Sequence, residues 1–101
     1  MEMKAISIRQ PYASQIISGK KRFEYRSWRT HFRGKLMVCS TVLPKLDGLK
    51  SGMALGTVEV IDCRPRKAGG FAWGLENPRP LARPFRVKGK LGFYDIRHPS
   101  K

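Results

Sequence analysis

The chain has 101 residues, which suffices for a single domain spanning residues 1–101 but not for two. Its hydrophobic content of 41% and aromatic content of 10% predict a packed globule and exclude a disordered chain. No apolar run approaches the roughly 20 residues of a membrane span, and the start of the chain lacks the apolar segment of a signal peptide. We therefore expect a cytoplasmic protein with no membrane partner.

The charge of the chain indicates a class of partner. Lys and Arg number 21 against seven Asp and Glu, which gives a formal net charge of +14. A domain this basic is expected to meet polyanions, among which nucleic acid is the commonest. Charge alone supplies affinity and salt dependence but no chemistry.

The cysteines and histidines give no sign of a metal centre. Cys39 and Cys63 lie in apolar, strand-like segments without CxxC spacing, which is typical of buried free thiols. Only His31 and His98 could join them, and both are expected at the surface. We expect no metal, no cofactor and no disulfide.

The first third of the chain predicts a strand, a helix and a second strand. Residues 3–8 alternate in polarity, as a first strand would. Gln10–Pro11 opens a helix of about eight residues, because proline is tolerated at the first helical position. Tyr12 is expected on the inner face of this helix, and Gly19 ends it. Strand-like alternation resumes over residues 22–28.

The rest of the chain predicts further strands. Residues 35–41 are apolar almost throughout and predict a strand buried on both faces, whereas residues 54–63 form the clearest strand, with a bulge or close approach at Gly56. Residues 71–83 carry several prolines and predict an ordered loop, and residues 86–96 predict two strands split by a glycine. Together these elements predict an α+β, mainly β fold: a small barrel of five to six strands with one N-terminal helix and short helical turns.

Residues 19–26, Gly-Lys-Lys-Arg-Phe-Glu-Tyr-Arg, set one carboxylate among cations. Side chains two apart in a strand share a face, so Glu24, Arg26 and Trp28 should point the same way, with Lys21 at the mouth of the strand. An acid, a guanidinium and an aromatic ring in a row can hold a flat polar ligand. The alternative is a solvated charge run that stabilises the C-terminus of the preceding helix.

Four segments of the chain together resemble the ASCH (activating signal cointegrator homology) domain family. They are residues 7–13 (Ser-Ile-Arg-Gln-Pro-Tyr-Ala), the set Gly19-x-Lys21-x-x-Glu24-x-Arg26-x-Trp28, residues 71–81 and residues 87–93. The family hallmark is G-x-K-x-x-E-x-R just after the first helix. The resemblance implies a PUA-like β-barrel with a cleft beside that helix. It also implies binding of RNA, single-stranded nucleic acid or a modified nucleoside.

Carried over by position, the resemblance implies a set of cleft residues. The core of the set is Lys21, Glu24 and Arg26, surrounded by Ser7, Gln10, Pro11 and Trp28, with Trp73 and Glu76 approaching from the late loop. Unpaired bases are recognised by stacking on aromatic rings and by hydrogen bonds to their edges, so either tryptophan could stack and Glu24 could accept from an exocyclic amine. Core packing is the alternative for both tryptophans. Candidates for contacts to the nucleic-acid backbone are Lys20, Arg22, Arg29, Arg33, Arg64, Arg66 and Lys67.

Catalysis remains an alternative, because some branches of the family are enzymes. The candidate catalytic residues for a metal-independent ribonuclease, or for an amidohydrolase acting on an acylated cytidine, are Lys21, Glu24 and Glu76. The amidohydrolase branch places a threonine three residues after its lysine, and Glu24 stands at that position here. A carboxylate cannot replace a hydroxyl nucleophile without changing that scheme.

Overall fold

The computed structural model describes residues 2–97, which form six strands of one sheet and one short helix. In chain order the elements are β1 (Glu2–Ile8), α1 (Tyr12–Ile17), β2 (Phe23–Arg26), β3 (Gly34–Ser40), β4 (Met53–Pro65), β5 (Phe71–Arg86) and β6 (Tyr94–Arg97). The strand order is β2-β5-β4-β3-β1-β6. The β1–β3 pair is parallel and the other pairs are antiparallel. His98, considered above as a possible metal ligand, lies outside the described residues.

The sheet curls until its second strand meets its first. Three strands separate β2 from β1 in the sheet order, so in a flat sheet they would lie about 19 Å apart. The Arg26 guanidinium on β2 nevertheless donates from Nη2 to the Ser7 carbonyl oxygen on β1 at 3.0 Å. The expected small, barrel-like α+β fold is therefore confirmed.

The core fills the inside of this curl. The segment Leu36–Ser40 of β3 is buried without interruption, which confirms the strand predicted to be buried on both faces. Helix α1 places Ala13 and Ile16 against β3, β4 and β5, and its C-terminus is followed by Gly19 at a φ of +88°, as predicted. The close approach expected at Gly56 is also present, because a β-carbon there would overlap a carbonyl oxygen of β5. Both cysteines are free thiols.

Two predictions about the second half of the chain are wrong. Residues 71–83, expected to be a loop, belong to the longest strand, β5. Prolines are tolerated there because β2 pairs only with residues 71–74. The rest of β5 has no strand paired to it on the β2 side, and proline is acceptable on such an edge. Residues 87–93, expected to be mostly strand, form an irregular connection, and the last strand begins only at Tyr94.

Candidate functional site

A cleft of about 670 Å³ opens where the curl of the sheet brings β2 towards β1 and the start of α1. Four of its lining residues are ones that the sequence singled out: Ser7, Lys21, Glu24 and Arg26. The others are Ile8, Arg9, Tyr12, Tyr25, Ser27 and Thr41. Glu24 is the one acid among cations and polar side chains, so the cleft is basic.

An ion pair between Glu24 and Arg26 is the most buried polar feature of the cleft. Arg26 Nε lies 2.8 Å from Glu24 Oε2, and Glu24 is only 8% exposed. Burial raises the pKa of the Glu24 carboxyl, and the neighbouring Arg26 and Lys21 charges offset part of that rise. Within residues 2–97, Glu24 Oε1 and Arg26 Nη1 form no hydrogen bond. The pair therefore keeps one carboxylate oxygen, and one guanidinium nitrogen with two N–H groups, for a ligand.

Two tyrosines and a lysine form the rim of the cleft. Tyr12 and Tyr25 are each 49% exposed. The Lys21 ammonium lies 4.3 Å from the centre of the Tyr25 ring and 5.7 Å from that of Tyr12, within the range of cation–π attraction. Arg66 lies 4.1 Å from the centre of the same Tyr25 ring, so Tyr25 has two cations near its ring, whereas one is recorded near Tyr12.

Gln10 and Pro11 lie outside the cleft, where they begin the helix. The Gln10 side chain is 2% exposed, and all of its hydrogen bonds are internal. Its Nε2 donates to Ser14 Oγ and to the Lys50 carbonyl oxygen, and its Oε1 accepts from the Ser14 amide. That last bond satisfies an amide that the helix itself leaves free, and Pro11 occupies the position before the first helical residue.

Both tryptophans belong to the core rather than to the cleft. Trp73 is completely buried, and Trp28 packs edge-on against it with ring centres 4.8 Å apart. Phe93 contacts both rings. The Trp73 indole N–H donates to the Trp28 carbonyl oxygen at 3.4 Å. This corrects the expectation that Trp73 stacks on a base, because its ring is closed off by packing.

Glu76 lies on the exposed part of β5, apart from the Glu24–Arg26 pair. It lines a smaller cavity of about 280 Å³, which the cleft adjoins only through Lys21. Lys21, Glu24 and Glu76 are therefore not assembled in one cleft. His31 is exposed, as expected.

The basic residues proposed for backbone contacts are all exposed: Lys20, Arg22, Arg29, Arg33, Arg64, Arg66 and Lys67. Several have local partners. Arg29 lies over the Phe71 ring, Arg64 pairs with Asp62 at 3.1 Å, and Arg33 donates to carbonyl oxygens of its own loop. Arg66 reaches a cleft residue, since it lies over Tyr25.

Sequence reasoning missed both tyrosines of the rim. Tyr12 has the spacing to pair with Ile16 on the inner face, but it is half-exposed and lines the cleft. Tyr25 alternates with Glu24 along β2, yet it also borders the cleft, from the edge of the sheet. The position of Tyr12 directly after the Gln10–Pro11 pair is the signal that could have found it.

Two further properties concern residues 2–97 as a whole. None of their helices has the length and apolar character needed to cross a bilayer. They also contain no group of three or more His, Cys, Asp or Glu side chains that could hold a metal ion.

The fold and the cleft define a class: small, barrel-like α+β domains with a basic cleft between the first helix and the second strand. The family profile described as "ASCH domain" matches residues 6–78, so the chain belongs to the ASCH domain family, which is associated with RNA and nucleic-acid binding.

Two curated relatives are similar to the chain. Activating signal cointegrator 1 from Homo sapiens is 28% identical over 119 aligned residues, covering 83% of this chain and 20% of the relative. The protein of the same name from Mus musculus is 29% identical over the same shares. The chain thus spans about a fifth of the length of these relatives.

Proposed function

We propose that this domain binds single-stranded RNA and takes one unpaired base into the cleft. The observation that carries the proposal is the buried Glu24–Arg26 pair, in which Glu24 Oε1 and Arg26 Nη1 have no hydrogen-bond partner among residues 2–97. The Watson–Crick edges of unpaired bases present donors beside acceptors, whereas in a duplex these edges are already paired. A cleft of about 670 Å³ also has the size typical of small-ligand sites.

Each lining group has a role in this proposal. Glu24 Oε1 accepts from an exocyclic amine, and Arg26 Nη1 donates to a carbonyl or phosphate oxygen. Tyr12 provides a face on which the base stacks, and stacking tolerates any base because each has a π-face. Lys21 attracts a backbone phosphate at the tyrosine rim of the cleft.

The test is a titration of fluorescently labelled single-stranded RNA of about ten nucleotides, within the site sizes of small single-strand binders. Single-stranded DNA and duplex RNA of the same length are run beside it. We expect salt-dependent binding of the single strand and about tenfold weaker binding by Glu24→Gln, because a charge-assisted hydrogen bond is lost. Glu76→Gln is the matched control, since it removes an acid outside the pair and should change little. Equal binding of the duplex, or equal effects of the two substitutions, would contradict the proposal.

A second candidate function is hydrolysis in the same cleft, acting on RNA or on an acylated cytidine. It is favoured by the raised pKa of the buried Glu24 carboxyl, which makes that group a better general base for a water molecule or a ribose hydroxyl. The test is incubation with an RNA pool and with acylated nucleosides, read by mass spectrometry. Products that form with the unaltered protein and not with Glu24→Gln would establish an enzyme; their absence leaves a binding domain.

A further inference from the structure

A second cavity, of about 410 Å³, adjoins the cleft at Arg26. The two share Ser7, Arg26 and Thr41 as lining residues, so they form one groove with Arg26 at its middle. The far wall of the second cavity is the connection before β6, at residues 87–92. None of these wall residues belongs to the segment that the family profile matches, which ends at residue 78.

Backbone hydrogen bonds fix the walls of this second cavity. The Thr41 amide donates to the Ile8 carbonyl oxygen at 3.1 Å, the Gly52 amide to that of Thr41 at 3.0 Å, and the Val87 amide to that of Gly52 at 3.1 Å. These hydrogen bonds connect four separate chain segments that line the cavity. The cavity is therefore a built part of the fold.

Gly89 brings the far wall close to the cleft. A β-carbon at Gly89 would lie 2.7 Å from Ser7 Oγ, so a larger residue there would displace the Ser7 hydroxyl or the connection. The Ser7 hydroxyl is itself held by a 2.7 Å hydrogen bond with the Tyr94 hydroxyl. The connection therefore lies directly against Ser7, a residue that lines both cavities.

The lining of the second cavity is cationic and aliphatic. Its charged residues are Arg26 and Lys90, and no acid lines it. Val42 and Leu91 are 58% and 100% exposed, which leaves their surfaces free for a ligand. A ligand that fits this chemistry carries a negative charge next to a flat or apolar body.

We infer that the second cavity is a subsite for the neighbouring nucleotide of the bound strand. The phosphate that links the two nucleotides lies between Arg26 Nη1 and Lys90, and the second nucleoside packs against Leu91 and Val42. This inference rests on the proposed function, because it takes the first base to occupy the cleft. It adds a path for the bound RNA, which runs from the tyrosine rim past Arg26 to residues 87–92.

The test compares four ribonucleosides with the four matching dinucleoside monophosphates by NMR titration. A nucleoside fills only the cleft, whereas a dinucleoside monophosphate adds one phosphate and one nucleoside. We expect the dinucleoside monophosphate to bind at least about tenfold more tightly, as a phosphate contact with two cations supplies. Lys90→Ala should remove most of that gain and leave nucleoside binding unchanged. Lys88→Ala is the matched control, since it removes the same charge from an exposed position outside the cavity.

The outcomes distinguish failure of the second subsite from failure of base binding in the cleft. If nucleosides bind and Glu24→Gln weakens them, but the dinucleoside monophosphates gain nothing, the second subsite is refuted and base binding in the cleft stands. Equal losses for Lys88→Ala and Lys90→Ala also refute the subsite, because they indicate diffuse attraction. If neither ligand set binds, both the proposed function and the inference fall.

Discussion

Substitution of Tyr12 by alanine tests whether the rim of the cleft stacks on a base. Tyr12 lines the cleft and is half-exposed, and the Lys21 ammonium lies 5.7 Å from the centre of its ring. The substitution removes the exposed face that a base would meet and also the packing of the buried half of the side chain. Binding is therefore compared at a temperature at which every variant is folded.

The two magnitudes follow from the contacts of the ring. An exposed cation–π contact contributes about 0.5–1 kcal/mol, and the buried half of the Tyr12 side chain contributes roughly 1–2 kcal/mol of packing. Alanine in the first turn of α1 restores roughly 0.5 kcal/mol of helix propensity, so the free energy of unfolding should fall by roughly 1–2 kcal/mol. Loss of stacking costs roughly 1–3 kcal/mol per base, which weakens RNA binding about 5- to 150-fold. Tyr12→Phe keeps the ring and should keep the affinity.

The assay is fluorescence anisotropy with the single-stranded RNA used above, alongside thermal unfolding of each variant. Phe23→Ala is the matched control, because Phe23 is also an exposed aromatic residue, at 46%, but does not line the cleft. The stacking argument is refuted if Phe23→Ala weakens binding as much as Tyr12→Ala, or if Tyr12→Ala binds normally.

Four further predictions concern charge and packing. Burial raises the pKa of Glu24 in the free protein, and a ligand that bonds to the ionised carboxylate lowers this pKa again. The affinity for RNA should therefore rise as the pH increases through the free-protein pKa. In Glu24→Gln the affinity should not depend on pH in this range. The folded protein also binds more protons than the unfolded chain between pH 4.5 and that raised pKa, so the free energy of unfolding should fall as pH rises through this window, as pH-dependent denaturation would measure. The double substitution Arg66→Ala/Lys67→Ala should reduce the slope of log affinity against log salt by about 1.4, and an unchanged slope would exclude both from phosphate contacts. Gly56→Ala should lower the free energy of unfolding by roughly 1–3 kcal/mol in a denaturant titration, because its β-carbon overlaps the Arg79 carbonyl oxygen, and a neutral result would mean that β5 can shift at no cost.

The fold was predictable where local pattern and partner strands agree. Residues 35–41 and 54–63 show their strand character in apolar and β-branched runs, and both became strands. Residues 71–83 were not recognised as a strand because of their prolines. Proline is excluded only from strands that pair with neighbours on both sides. Proline becomes acceptable in β5 beyond the point where its pairing with β2 ends. That point depends on pairing between distant parts of the chain, which a short stretch of sequence does not contain.

The cleft was predictable only in part, for a similar reason. The spacing of Glu24 and Arg26 puts both on one face of a strand, and they do line one cleft, together with Lys21, which precedes the strand. Which aromatic rings accompany them depends on how the sheet curls, since the curl encloses Trp73 in the core and leaves Tyr12 at the rim. Strand alternation predicts which face of the sheet a side chain lies on. It does not predict whether that face packs against the core or lines a cleft.

The two interpretations of the hallmark motif, a structural ion pair and a ligand site, do not exclude each other. Arg26 uses Nε for Glu24 and Nη2 for Ser7, which ties β2 to β1, and its Nη1 remains for a ligand. Glu24 likewise uses Oε2 internally and keeps Oε1. Substitutions at Arg26 therefore disturb closure of the sheet and the binding surface at once, so they cannot separate the two roles. Glu24→Gln can, because the amide retains an oxygen for Arg26 Nε while it removes the charge that a base would meet in the cleft.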